Sequence, residues 1–88
     1  MISHNVPERR FETRVDGELA VCEYQLHGDR MELHHTFVPP KLRGRGVAQK
    51  LVEVALQTAL ADGRRVVPTC SYVAAFISRR PEYQVLVS

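Results

Sequence analysis

The sequence predicts an α/β fold of the α+β kind: an antiparallel three-stranded meander, a long helix, a strand parallel to the third, and a C-terminal helix. Three observations carry it. Apolar residues recur with period two from Phe11 to Val38, short turns interrupt them at Asp16-Gly17 and at His27 to Arg30, and the period becomes helical at Gly46.

In the first run Phe11, Thr13 and Val15 alternate with Arg10, Glu12 and Arg14, the pattern of a strand with one wet face. Asp16-Gly17 supplies a hairpin turn, because both central positions need positive φ. The second run, Leu19 to Leu26, sets Ala20, Cys22, Tyr24 and Leu26 on one face, and His27-Gly28-Asp29-Arg30 turns the chain again. A third run, Met31 to Val38, places Met31, Leu33, His35 and Phe37 on one side and Glu32, His34, Thr36 and Val38 on the other. Pro39-Pro40 ends it, since neither proline can donate to a ladder.

From Gly46, Val47, Leu51, Ala55 and Ala59 form one helical row and Ala48, Val52, Leu56 and Leu60 the adjacent one; Lys50, Glu53 and Gln57 mark the wet face. Gly63 after Asp62 is a C-terminal stop. "RVVPTC" reads as a short buried strand, and entry through a helical crossover makes it parallel to the third run. Pro68 then requires either an edge position or separation from its neighbour near that residue. Ser71 reads as the N-cap of a helix through "YVAAFISRR", with Val73, Phe76 and Ile77 inward and Pro81 as its stop. The tail "EYQVLVS" is compatible with a short strand or a packed coil.

Eighty-eight residues suit one domain spanning 1–88, and at this size folding removes about 60–65% of the chain's surface from water. Apolar residues at 44% and charged residues at 25% argue against disorder. No apolar run approaches the roughly 18 residues of a membrane span, and "MISHNVPERR" lacks the apolar core of a signal peptide. A soluble cytoplasmic protein without a membrane partner is expected. The net charge of +2, from 12 basic and 10 acidic side chains, is too balanced for nucleic acid to be the main partner. Cys22 and Cys70 show no CxxC and no histidine at zinc spacing, so both read as free thiols and no metal is expected.

The most positive and irregular stretch, "PPKLRGRGVAQKL", directly precedes the long helix. A helix N-terminus exposes unpaired N–H groups and the positive end of the macrodipole, which together suit an anion. Gly44 and Gly46 keep Cβ atoms out of its way, and Lys41, Arg43 and Arg45 add charge. The plain alternative is a solvated basic loop before a core helix.

"FVPPKLRGRGVAQKLVEVAL" resembles the acetyl-CoA signature of the GNAT superfamily of N-acetyltransferases, in which a strand runs into a [Q/R]-x-x-G-x-[G/A] turn and a helix. Lys41 stands at the first position and both glycine positions match. With the later "PTCSYVAAFI", the chain from about residue 8 to 83 is similar to the short GNAT-like N-acetyltransferase domain-containing group. The resemblance implies acetyl-CoA as acetyl donor, its pyrophosphate on the amides of Gly44, Arg45, Gly46, Val47 and Ala48. It also implies a pantetheine arm beside the backbone of Thr36, Phe37 and Val38, where splayed third and fourth strands leave room for an amide-bearing ligand.

Cys70 precedes a helix whose dipole favours thiolate, and in the short group a cysteine at this place lies near the acetyl thioester. Two mechanisms follow. Either Cys70 takes the acetyl group and passes it to an amine in a ping-pong cycle, or a base deprotonates the amine for direct transfer while backbone N–H groups polarise the carbonyl. His34 is a candidate base, as is Glu32. His34 and His35, adjacent on a strand, are expected on opposite sides, with His35 and Cys22 in the core. The resemblance also makes Tyr72 a candidate proton donor to the leaving thiolate, while Tyr83 and Arg79-Arg80 either touch the nucleotide end or are ordinary surface. The chain has only the Asp16-Gly17 turn where larger members carry helices, so an open acceptor site is expected, suited to a protein or peptide lysine or a polyamine. The competing reading is a non-catalytic CoA-binding module, a scaffold or sensor.

Overall fold

A computed structural model describes residues 1–88. In chain order it contains β1 (Ser3–Asn5), β2 (Arg10–Val15), β3 (Glu18–His27), β4 (Arg30–Phe37), a 3-10 turn (Pro40–Leu42), α1 (Val47–Ala61), β5 (Arg65–Pro68), α2 (Ser71–Ser78) and α3 (Pro81–Gln84). The strands form one sheet in the order β1-β2-β3-β4-β5, antiparallel except for the β4–β5 pair. The α+β expectation therefore holds, and the meander gains a fourth antiparallel strand at its start.

The extra strand, β1, carries no apolar alternation. Its anchor is His4, whose ring stacks on Phe11 at 4.1 Å between centroids and whose Nε2 lies 2.7 Å from the Tyr24 hydroxyl. Asp16 and Gly17 both have positive φ, as their hairpin requires, and pair Val15 with Glu18 across the turn.

The third run departs from simple alternation. Tyr24 pairs with Leu33 and the next pair is Glu23 with His35, so His34 is an extra residue in a β-bulge. One inserted residue exchanges the faces of everything beyond it. Thr36 consequently stands opposite buried Cys22, while Phe37, expected in the core, is 44% exposed and His35 is exposed too. The bulge also cancels the opposed placement of the two histidines, since both now stand against Glu23. At the far end of β3, Leu26 is exposed rather than buried, although its cross-strand partner Met31 lies in the core.

Both α1 and α2 pack on the sheet face that carries Phe11, Cys22 and Leu33, and a single cluster of 18 buried residues fills the space. Leu51, Val52, Ala55, Leu56 and Ala59 form the inner stripe of α1, as the helical period requires. Gly63 at φ +69° ends that helix: its amide donates to the Leu60 carbonyl and the Arg64 amide to that of Ala59, a Schellman closure. Cys70, not Ser71, is the N-cap of α2. The main chain has already turned at Thr69, where the amide reaches back to Val67, and this places the extended residue one position earlier. Pro81 begins α3 instead of merely stopping α2, its fixed φ suiting a first helical position. Tyr83 and Leu86 then enter the core, and Val87 makes a parallel bridge to Val66 on the outer edge of β5.

Candidate active site

The basic turn is built by its apolar and glycine residues. Leu42, 1% exposed, anchors the 3-10 turn in the core, after which Arg43 is extended. Gly44 at φ +81° and Gly46 at φ +75°, the N-cap of α1, lie in the left-handed region. Nothing lies within 4 Å of a Cβ built at either, so glycine answers to backbone conformation here, which costs other residues about 1–2 kcal/mol. The Lys50 amide is the first to donate within the helix, to Gly46. The amides of residues 44 to 49 meet no acceptor in the protein, no side chain caps the helix, and its first turn holds no acidic residue. The positive end of α1 is bare.

A cleft of about 270 Å³ opens over this turn, lined by Val38, Leu42, Arg43, Gly44, Gly46, Val47, Ala48, Gln49 and Tyr72. Its strand wall results from a splay. The β4–β5 ladder ends at Leu33 with Pro68, and one further bond follows, from the Cys70 amide to the Leu33 carbonyl. Beyond it β4 continues to Phe37 without β5 beside it. Pro68 satisfies both conditions set by its missing donor: β5 is the last strand of the sheet, and it leaves its neighbour there.

Just past the last pair stands the Cys70 thiol, half-buried. Partial burial pushes this thiol up, but the Val73 amide, the Thr36 hydroxyl and the amides of Tyr72 and Thr36 together outweigh it. The net pKa is below the ordinary cysteine value of 9.0. No cap hydrogen bond of regular geometry closes on the sulfur, so these donors act as oriented dipoles. Its polar side-chain contact is with the Thr36 hydroxyl, at 3.7 Å. Cys22 is fully buried, and burial pushes its thiol up to about 11.

A family model for GCN5-related N-acetyltransferases matches residues 10–86, nearly the whole of the sheet and helices just described. The chain belongs to that family. It is 35% identical to Protein NATD1 of Bos taurus, with 97% of this chain and 78% of the relative covered, and 33% identical to that of Homo sapiens over the same shares. A GCN5-like protein from Staphylococcus aureus, solved by NMR in solution, shares the fold at a TM-score of 0.77 and 22% identity, covering 100% of this chain and 87% of that one.

In this GCN5-related chain, the expected cofactor residues fall into three groups. Val38, Arg43, Gly44, Gly46, Val47 and Ala48 line the cleft. Arg43 is held there by its Nε donating to the Val38 carbonyl at 3.0 Å. Thr36 and Phe37 lie on the free edge of β4 outside the lining. The side chains of Lys41 and Arg45 point elsewhere: Lys41 is exposed, and Arg45 reaches Asp16 in the β2–β3 turn at 3.4 Å and borders a separate cavity against β2.

Among the catalytic candidates, Tyr72 lines the cleft at 37% exposure, one residue beyond Ser71 from Cys70. His34 sits in the bulge, half-buried and without a hydrogen bond to the thiol. Glu32 is engaged by the Thr69 hydroxyl at 2.8 Å and by His27 Nε2 at 2.9 Å. Leu42 and Gln49 were not among the expected lining residues. Gln49 is the third residue of α1, and counting the helix's unpaired N-terminal amides from Gly46 would have found it. No group of three or more His, Cys, Asp or Glu residues is placed to hold a metal, and no helix is long and apolar enough to cross a membrane.

Proposed function

We propose that the protein is an acetyl-CoA-dependent N-acetyltransferase whose acceptor is an amine on a protein, peptide or polyamine. One observation supports this most: a single cleft has the bare amides of Gly44 and of Gly46, Val47, Ala48 and Gln49 on one wall and the free edge of β4 leading into the other. Five peptide N–H groups and a helix dipole suit a pyrophosphate, and a strand edge with unpaired amides and carbonyls suits the two amides of a pantetheine arm.

In this reading Cys70 is the nucleophile. Its thiolate adds to the thioester carbonyl, the amide of Thr36 offers a hydrogen bond to the oxygen on which charge develops, and Tyr72 donates the proton to the departing CoA sulfur. The amine then attacks the acetyl-cysteine, Cys70 leaves as thiolate, and the amine's proton passes to Tyr72 or solvent. Direct transfer without an acetyl-cysteine needs a base near the acetyl group, and His34 supplies it in that variant.

A CoA-binding module without catalysis is favoured by a different observation, that Arg43 and Tyr72 are the only ionisable residues lining the cleft. Calorimetry with acetyl-CoA tests the binding, and absence of heat overturns both readings. Intact-mass analysis after incubation with acetyl-CoA is expected to find one acetyl group on the wild type and none on Cys70→Ala. An unlabelled wild type removes the cysteine route. If acetyl-CoA binds and no amine in a panel of lysine peptides and polyamines releases CoA, the module is the correct reading.

A further inference from the structure

Cys70 is one end of a chain of three polar side chains that crosses the sheet. Cys22 on β3 and Thr36 on β4 are direct cross-strand partners, so their side chains share the core face, and Cys70 meets them from the start of α2. The Thr36 Oγ1 lies 3.8 Å from the Cys22 Sγ and 3.7 Å from the Cys70 Sγ. Both are within reach of weak sulfur hydrogen bonds.

A hydroxyl has one proton to give and lone pairs with which to receive. Thr36 therefore cannot donate to both sulfurs, and its choice follows their charge. With both thiols protonated, Cys70 donates to Thr36 and Thr36 to Cys22. Cys22 is sealed from solvent, and burial holds its proton on to about pH 11. It remains a thiol, and a possible donor, throughout the physiological range.

We infer that Thr36 and Cys22 are positioning residues for Cys70, forming a hydrogen-bond chain that reverses when Cys70 ionises. The Cys70 proton goes to solvent, Thr36 turns its O–H from the Cys22 sulfur to the Cys70 thiolate, and the Cys22 S–H donates to the oxygen that Thr36 leaves free. The chain needs no other ionisable partner. Among groups on the elements around Cys70, Tyr72 of α2 lines the cleft, Glu32 of β4 bonds to Thr69 and not to the sulfur, and His34 of β4 makes no bond to it. Cys22, on its apolar face a plain core residue, thereby gains a role that its packing alone does not require.

The inference deepens the reading of Cys70 as the nucleophile, yet it is measured without acetyl-CoA, so its failure and that of the proposed function are separate results. The experiment is the pH profile of iodoacetamide alkylation at Cys70, located by peptide mass mapping, in the full chain. Thr36→Val, nearly isosteric, is expected to raise the midpoint by about one pH unit and slow alkylation about tenfold below it, the size expected for a lost hydrogen bond to a charged group. Thr36→Ser keeps the wild-type profile. Cys22→Ala slows alkylation about threefold, half a pH unit, and Cys22→Ser, which restores a donor, reverses that loss. An unmoved midpoint in Thr36→Val or in Cys22→Ala overturns the chain, whatever either variant does to the melting temperature. Should Thr36→Val not fold, the comparison of Cys22→Ala with Cys22→Ser decides alone: equal profiles overturn the chain.

Discussion

Glu32 receives hydrogen bonds from Thr69 and His27, and that engagement has a consequence in acid. The Thr69 hydroxyl first, and then His27, hold its carboxyl below the ordinary glutamate value of 4.5. A carboxylate with a depressed folded pKa contributes its stabilisation in full above the unfolded value, and loses it as pH falls through the folded one. Urea midpoints should therefore decline below pH 4.5, and the decline should be shallower in Glu32→Gln than in the wild type. Parallel declines would show that this carboxylate contributes nothing. The same bond bears on the site, because Thr69 immediately precedes Cys70 and Glu32 holds that loop against β4. A base already held as an ionised acceptor by two partners is a poor choice for deprotonating an amine, which leaves His34 for the direct route.

Among the elements, the turn and the bulge were legible to different degrees. Two glycines before a helical period suggest room for an anion, and φ of +81° and +75° adds a conformational reason for glycine that the pattern alone does not carry. Gly46→Ala is expected to destabilise the fold by about 1–2 kcal/mol through backbone conformation, since open space surrounds the new Cβ. It should also weaken acetyl-CoA about tenfold, about 1.4 kcal/mol. Urea denaturation and calorimetry read the two effects, and unchanged affinity would detach the N-cap from cofactor binding. The bulge at His34 left no sign in the pattern of Met31 to Phe37, because an apolar residue at 37 continued the alternation as if no residue had been inserted. A register is a property of two strands, and the partner's pairing chose which face Phe37 takes. β1 was invisible for a similar reason: three residues without alternation are held by an imidazole stacked on Phe11 and bonded to Tyr24.

At the scale of the molecule, 18 buried residues serve one small core. The Cα radius of gyration of 12.2 Å matches the value of about 12 Å expected for a compact chain of this length. A domain this size holds roughly 4–13 kcal/mol of stability, so a ligand at the junction of sheet and helix is felt throughout. At one hundred times its Kd, acetyl-CoA should add about 2.7 kcal/mol and raise the melting temperature by roughly 10 °C or more. A scan with no shift at that concentration would mean that the cleft does not take acetyl-CoA.

Period and punctuation in the sequence were enough for the meander, the long helix, the parallel crossover strand and the basic glycine turn, because these depend on spacing along the chain and on local conformational limits. Pro68 limited its strand to an edge position or a splay, since a missing N–H must appear as a missing ladder bond, and the structure shows both. The tertiary structure alone decided which face Thr36 takes, that Arg45 turns away to Asp16, that Tyr72 joins the cleft, and that Cys22 and Cys70 flank one hydroxyl. Each of these is a meeting of residues distant in sequence, set by pairing register and helix docking, and no local pattern encodes such a meeting.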